Sequence, residues 1–140
     1  MPKDFRQTKH KLLTEWNVVK ERLHSSPSHK LQHIKEGEVW WAGIGENVGV
    51  EINGKSEYFS RPVVVFKKMS HFGFLGIPLT TKKHSGSWYV MFRFQNKEVG
   101  AVLSQIKVFS AARLYGRLGQ VAEDDMDMIK EGFRELYLGK

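Results

Sequence analysis

Apolar residues return every three or four positions at the two ends of the chain. Between the ends they return every second position or gather in short unbroken runs. Leu12, Trp16, Val19 and Leu23 fall on one helical stripe, with Lys9, Lys11, Lys20 and Arg22 mostly off it, so a helix is predicted over residues 4–24 with Asp4 as its N-cap. Such a stripe serves either to pack on a body or to act as a lid or docking surface. Pro27, within Ser25-Ser26-Pro27-Ser28, cannot continue the helix and opens a linker.

From Glu38 the pattern becomes strand-like. Glu38 to Ile44 is aromatic and β-prone. A long polar connection, Gly45 to Phe59, follows, with a turn expected at Asn53-Gly54. Ser60 to Thr81, SRPVVVFKKMSHFGFLGIPLTT, holds two apolar runs around a basic turn and predicts two adjacent antiparallel strands. Their pairing would set Arg61, at the start of the first, beside Thr80, at the end of the second. A guanidinium and a hydroxyl at one strand end suit a phosphate. After the polar loop 82–87, Trp88 to Phe94 alternates, with Trp88, Val90, Phe92 and Phe94 on one face. Gln95 to Glu98 reads as a turn, Val99 to Leu103 as the return strand, Gln105 to Phe109 as its extension, and Arg113 to Val121 as a last strand bent at Gly116 and Gly119. A terminal helix follows, with Glu123, Asp124 and Asp125 in its first turn and Met128, Ile129, Phe133, Leu136 and Tyr137 as its buried face. Six or seven short strands flanked by helices make the fold class α+β, mainly β: a small barrel or strongly bent sheet.

Composition narrows the chemistry. The 140 residues suffice for one domain with an appendage. With no cysteine, disulfides, Cys-ligated zinc and thiol catalysis are excluded, and a cytoplasmic location is expected. No apolar run reaches membrane-spanning length, and the charged N-terminus does not read as a signal peptide. The net charge of +7 is unevenly spread: residues 1–35 and 36–120 each carry +5, and residues 121–140 carry −3. A basic body favours a polyanionic or acidic partner. His29 and His33 are four apart without supporting carboxylates, so no metal site is expected, and nucleotide-cofactor motifs are absent, so no cofactor is expected either.

Four pieces in order, GEVWWAGIG, GVEINGKSEYFSRPVVV, GIPLTT and AVLSQIKVFSAARL, resemble the PemK/MazF family of toxin endoribonucleases over about residues 36–138. The resemblance implies an SH3-like barrel of the CcdB/PemK type over residues 36–140, preceded by a helical extension and linker over residues 1–35. It implies a homodimer that cleaves single-stranded mRNA without metal and is inhibited by an acidic antitoxin. It assigns the chemistry to Arg61 and Thr80 and places Glu51 on the loop that shapes the substrate groove. Lys55, Thr81, Lys82, Lys83, His84, Gln105 and Lys107 are the further residues expected to contact RNA there, and Glu51 or His84 is the candidate general acid or base. Some relatives carry catalytic arginine and aspartate where Val102 and Ser104 stand in this chain. That departure keeps a second reading open: a non-catalytic module that binds nucleic acid, or a protein such as gyrase.

Overall fold

The computed structural model describes residues 2–25 and 33–139, with side chains from Phe5 onward. The expected Asp4 cap, the Pro27 linker and His29 lie outside the described side chains. In chain order the elements are α1 (Pro2–Ser25), β1 (Glu38–Gly43), β2 (Ser60–Lys68), β3 (Gly73–Thr80), β4 (Tyr89–Phe94), β5 (Lys97–Val102), β6 (Lys107–Ser110), β7 (Leu114–Gln120) and α2 (Glu123–Leu138). The seven strands pair antiparallel in the order β4-β5-β3-β2-β1-β7, and β6 also pairs with β3.

Strand β3 organises the sheet. Its first half, Gly73 to Gly76, pairs with β6, and its last residues, Leu79 and Thr80, pair with Ala101 and Gly100 of β5. The run from Val99 to Phe109 is therefore two strands and not one extended strand. A short 3-10 turn at Leu103–Gln105 breaks it and swings β6 to the other end of β3. One strand bonded at its two ends to different partners is what bends a sheet towards a barrel.

Two buried clusters fill the inside. One joins Val39, Val64, Ile77, Leu79, Phe92, Val99, Ala101, Leu103 and Val121 to Met126 and Ile129 of α2. The other joins Ile34, Ala42, Ile44, Val63, Val65, Phe74, Phe109, Ala111 and Leu114. The β4–β5 hairpin closes through Gln95 and Asn96, both at positive φ (51° and 65°), the conformation of a tight hairpin turn matched to strand twist. On β7 the pairing with β1 slips twice, passing over Leu118 and Tyr115 beside the two glycines expected to bend the strand.

Three more expectations shift. Helix α2 buries Met126, not Met128, which is 46% exposed; its inner face runs Met126, Ile129, Phe133 and Leu136, and Tyr137 keeps its ring half-exposed while its hydroxyl donates to the Leu103 carbonyl (2.6 Å). The two methionines lie two residues apart, nearly opposite on a helix, so only one can face inward. Trp88 lies outside β4 and is exposed. The Asn53-Gly54 turn is replaced by turns at Val48–Glu51 and Ser56–Phe59. Gly54 is needed for space, because a Cβ there would meet the Phe59 carbonyl oxygen at 1.8 Å.

Helix α1 behaves as its stripe predicts. Trp16, Val19 and Leu23 are buried with Phe59 as a third cluster, and Leu12 packs against them. Trp16 lies against Gly45 and stands 5.7 Å from the Phe59 ring. The helix is thus seated on the two ends of the 44–59 loop.

Candidate functional site: a cleft at the open end of β2 and β3

Val63 pairs with Pro78. Two residues further along both strands, the same register sets Arg61 opposite Thr80. Both line one cavity of about 380 Å³, together with Trp41, Lys55, Ser56, Thr81, Gln95 and Lys97. Pro62 brings no N–H to the sheet, and the Leu79 carbonyl accepts from Arg61 Nη1 (3.4 Å). On the other side Arg61 Nε donates to the Asn53 carbonyl of the loop. The guanidinium is therefore held between strand and loop, half-buried, and desolvation pulls its pKa below the usual arginine value. Among the described residues no carboxylate pairs with it, and Nη2 has no protein acceptor. A half-buried cation without a counter-charge is built to receive an anion. Thr80 is 7% exposed, and its Oγ1 accepts from the Lys82 backbone N–H (3.2 Å), so its own proton is left to donate.

The rest of the expected site residues divide. Lys55 and Thr81 line the same cavity. Lys82 contributes its backbone N–H to Thr80, Lys83 pairs loosely with Glu98 (3.8 Å), and His84 stacks on Tyr89 with ring centroids 4.2 Å apart. Among the described residues, neither His84 nor any carboxylate lines the cavity of Arg61 and Thr80. Glu51, Gln105 and Lys107 instead line a second hollow of about 260 Å³, with Ser104, Asn47 and Ile52. There the Glu51 carboxylate accepts from the Val48 N–H (3.1 Å), and Gln105 bonds the loop backbone twice, accepting from Ile52 N–H (3.0 Å) and donating to the Val50 carbonyl (3.1 Å). The Lys107 ammonium lies 5.2 Å from the Phe109 ring centre. Desolvation and the neighbouring charges of Arg113 and Lys20 hold its pKa below the usual lysine range, against the pull of Glu51. Loop residues 51–53 stand between the two hollows, with Glu51 and Ile52 on one side and the Asn53 carbonyl at Arg61 on the other.

Three contributors are invisible in the sequence patterns. Asn47 and Asn53 knit the loop: the Asn47 N–H donates to Asn53 Oδ1 (2.6 Å), and Asn47 Nδ2 to the Ile52 carbonyl (2.8 Å). Arg113 donates to the Gly43 carbonyl (2.9 Å) and lies over the Trp16 ring (5.9 Å). The only signal for the asparagines is their density, with glycine, between Gly45 and Gly54.

The fold and cleft define a small β-barrel whose open end presents a half-buried guanidinium that no carboxylate among the described residues pairs. The model of the PemK-like, MazF-like toxins of type II toxin–antitoxin systems matches residues 35–137, and the chain belongs to that family. The chain is similar to solved structures. An endoribonuclease in complex with its cognate antitoxin, from a mycobacterial species, is 16% identical with a TM-score of 0.57, the match covering 76% of this chain and 95% of the other. MazF from Deinococcus radiodurans is 17% identical with a TM-score of 0.60, covering 76% and 97%. At these identities the likeness is one of fold. Comparison with curated protein sequences gives no significant match.

Proposed function

We propose that the protein is a metal-independent endoribonuclease that cleaves single-stranded mRNA, working as a cytoplasmic homodimer and held in check by an acidic antitoxin. The observation that carries the reading is the Arg61 guanidinium, fixed between Asn53 and Leu79 with no carboxylate of its own, in one cavity with the Thr80 hydroxyl. In the reaction the ribose 2′-oxygen attacks phosphorus and gives up its proton, while the 5′-oxygen leaves and takes one up. The products are a 2′,3′-cyclic phosphate and a 5′-hydroxyl end. Negative charge builds on the non-bridging oxygens, where Arg61 donates. Thr80 donates to the same phosphate or orients the 2′-hydroxyl. Lys55 and Lys97 at the rim attract the flanking phosphates. In the neighbouring hollow Lys107 attracts the strand as it leaves, while Glu51 shapes the loop wall there.

The test is purified protein with single-stranded RNA in EDTA, followed by end-group analysis. The expected result is cyclic-phosphate and 5′-hydroxyl ends. Arg61→Ala is expected to remove cutting by about 10²–10³-fold, the size of losing a donor to a developing oxyanion, with an unchanged circular dichroism spectrum. Undiminished cutting by Arg61→Ala would overturn the assignment.

One observation favours a second reading, a module that binds RNA without cutting it. Among the described residues no carboxylate or imidazole lines the Arg61–Thr80 cavity, and Val102, where some relatives have an arginine, is buried. Tight RNA binding with no product selects that reading.

A further inference from the structure

A continuous line of contacts runs from α1 to Arg61. Lys9 Nζ donates to the buried Glu46 carboxylate (2.6 Å) and to the Asn47 carbonyl (2.6 Å). The Asn47 N–H in turn donates to Asn53 Oδ1 (2.6 Å), and the Asn53 carbonyl accepts from Arg61 Nε. Trp16, one helical face with Lys9, lies against Gly45, which sits at φ +102°; a Cβ there would come within 2.4 Å of the indole. Gly45 also accepts from the Gly54 N–H (2.8 Å), closing the far side of the same loop. Neither Lys9 nor Trp16 lines either hollow, and both precede the segment matched by the family, residues 35–137.

We infer that Lys9 and Trp16 are positioning residues: α1 clamps the 44–59 loop so that the Asn53 carbonyl sets the angle of the Arg61 guanidinium over the cleft. The inference rests on the proposed role of Arg61 in RNA cleavage. Nη1 meets the strand at a long 3.4 Å, so the loop carbonyl is the firmer of the two holds on the group. A guanidinium that must meet a phosphate at two atoms tolerates little rotation. Slackening the loop would therefore lower turnover more than substrate affinity, because Lys97 on β5 and Lys107 on β6 keep their places and, of the cations proposed to attract the strand, only Lys55 rides on the loop.

The test uses the full chain and two readouts. Lys9→Met is expected to lower kcat on single-stranded RNA about 10-fold or more while KM stays within about twofold, since a small misplacement of a catalytic group costs up to about 10²-fold. The double variant Lys9→Met/Glu46→Gln, which leaves no orphaned carboxylate at position 46, is expected to behave alike if Lys9→Met folds poorly. Lys9→Arg, which keeps both donations, is expected to restore kcat, and Glu15→Gln on the exposed face of α1 is expected to change nothing. The second readout is hydrogen exchange of the Arg61 Nε–H by NMR, expected to quicken at least about 10-fold in Lys9→Met and to return in Lys9→Arg. Unchanged exchange, or unchanged kcat in an active enzyme, overturns the inference. If the parent protein leaves RNA uncut, the cleavage reading falls by itself, and the exchange of Arg61 Nε–H alone decides whether α1 positions the group.

Discussion

Strands β2 and β3 and the 44–59 loop grip the same guanidinium from opposite sides, and they are built differently. The strand side is a ladder packed on buried aliphatics: Val63, Val64, Val65 and Ile77 are all fully buried. The loop side has few apolar anchors of its own, with Val48 and Val50 exposed at 76% and 93%. It is held by amide side chains and by three props: α1 at Gly45 and Glu46, the loop's own Phe59 at its closing end, and Gln105 at Val50 and Ile52. The strands fix where Arg61 sits and the loop fixes how it points. Regions held by a few side-chain bonds open at lower free energy than regions held by ladder and core, so the orienting half of the site is the half that can be perturbed alone.

The strongest way to separate the halves is Trp16→Ala. The indole is 5% exposed and fills the space between Gly45, Phe59 and Arg113. Emptying it is expected to lower global stability by about 3 kcal/mol, the low end for deleting a buried tryptophan side chain, measured by urea unfolding. Amide exchange should then single out Ile44, Gly45 and Gly54, whose N–H groups close the loop, over those of Val64 and Ile77. Equal acceleration in loop and strands would mean that the two halves are one cooperative unit.

Next in size is Arg61→Lys. The charge survives, but one ammonium cannot reach the Asn53 and Leu79 carbonyls and still offer two parallel donors to a phosphate. Cutting is expected to fall about 10²-fold, equivalent to about 2.7 kcal/mol of transition-state stabilisation, while RNA affinity changes little. A lysine variant that cuts as well as the parent would show that the site needs charge and not orientation.

How legible these halves were differs in the same way. The strand half was readable: a β-branched run after Arg61-Pro62 and a second run ending Pro78-Leu79-Thr80 dictate an antiparallel pair, and that register alone brings Arg61 to Thr80. The α1 stripe was equally plain, because helical spacing is a local signal. The loop half was not. The Asn47–Asn53 bond and the Gln105 bridges join residues up to 55 positions apart through side-chain amides, and hydrophobic period carries no trace of them. Glu51 and Lys107 are expected along the substrate groove; they line the hollow adjoining the Arg61 cleft, and residues 51–53 turn Glu51 away from the face where Asn53 meets the guanidinium. The break between β5 and β6 was hidden by the apolar character of the residues around the Leu103–Gln105 turn.

The smallest expected effect is the sharpest probe of the loop's third prop. Gln105 sits on the 3-10 turn between β5 and β6 and reaches the loop with both ends of its amide. In Gln105→Ala the Ile52 N–H and the Val50 carbonyl lose a partner each, at about 1 kcal/mol per hydrogen bond where water can replace it. Both bonds are near the surface, so the global unfolding midpoint should hardly move, while exchange of the Ile52 amide should quicken about 5- to 30-fold, the range that 1–2 kcal/mol of local opening corresponds to. Arg61, one residue of loop further on at Asn53, should feel this less than it feels loss of Lys9, since the Asn47–Asn53 bond remains. Were Gln105→Ala to depress cutting as deeply as Lys9→Met, the amide would be touching RNA and not merely bracing the loop, and Gln105 would join the binding surface with Lys107.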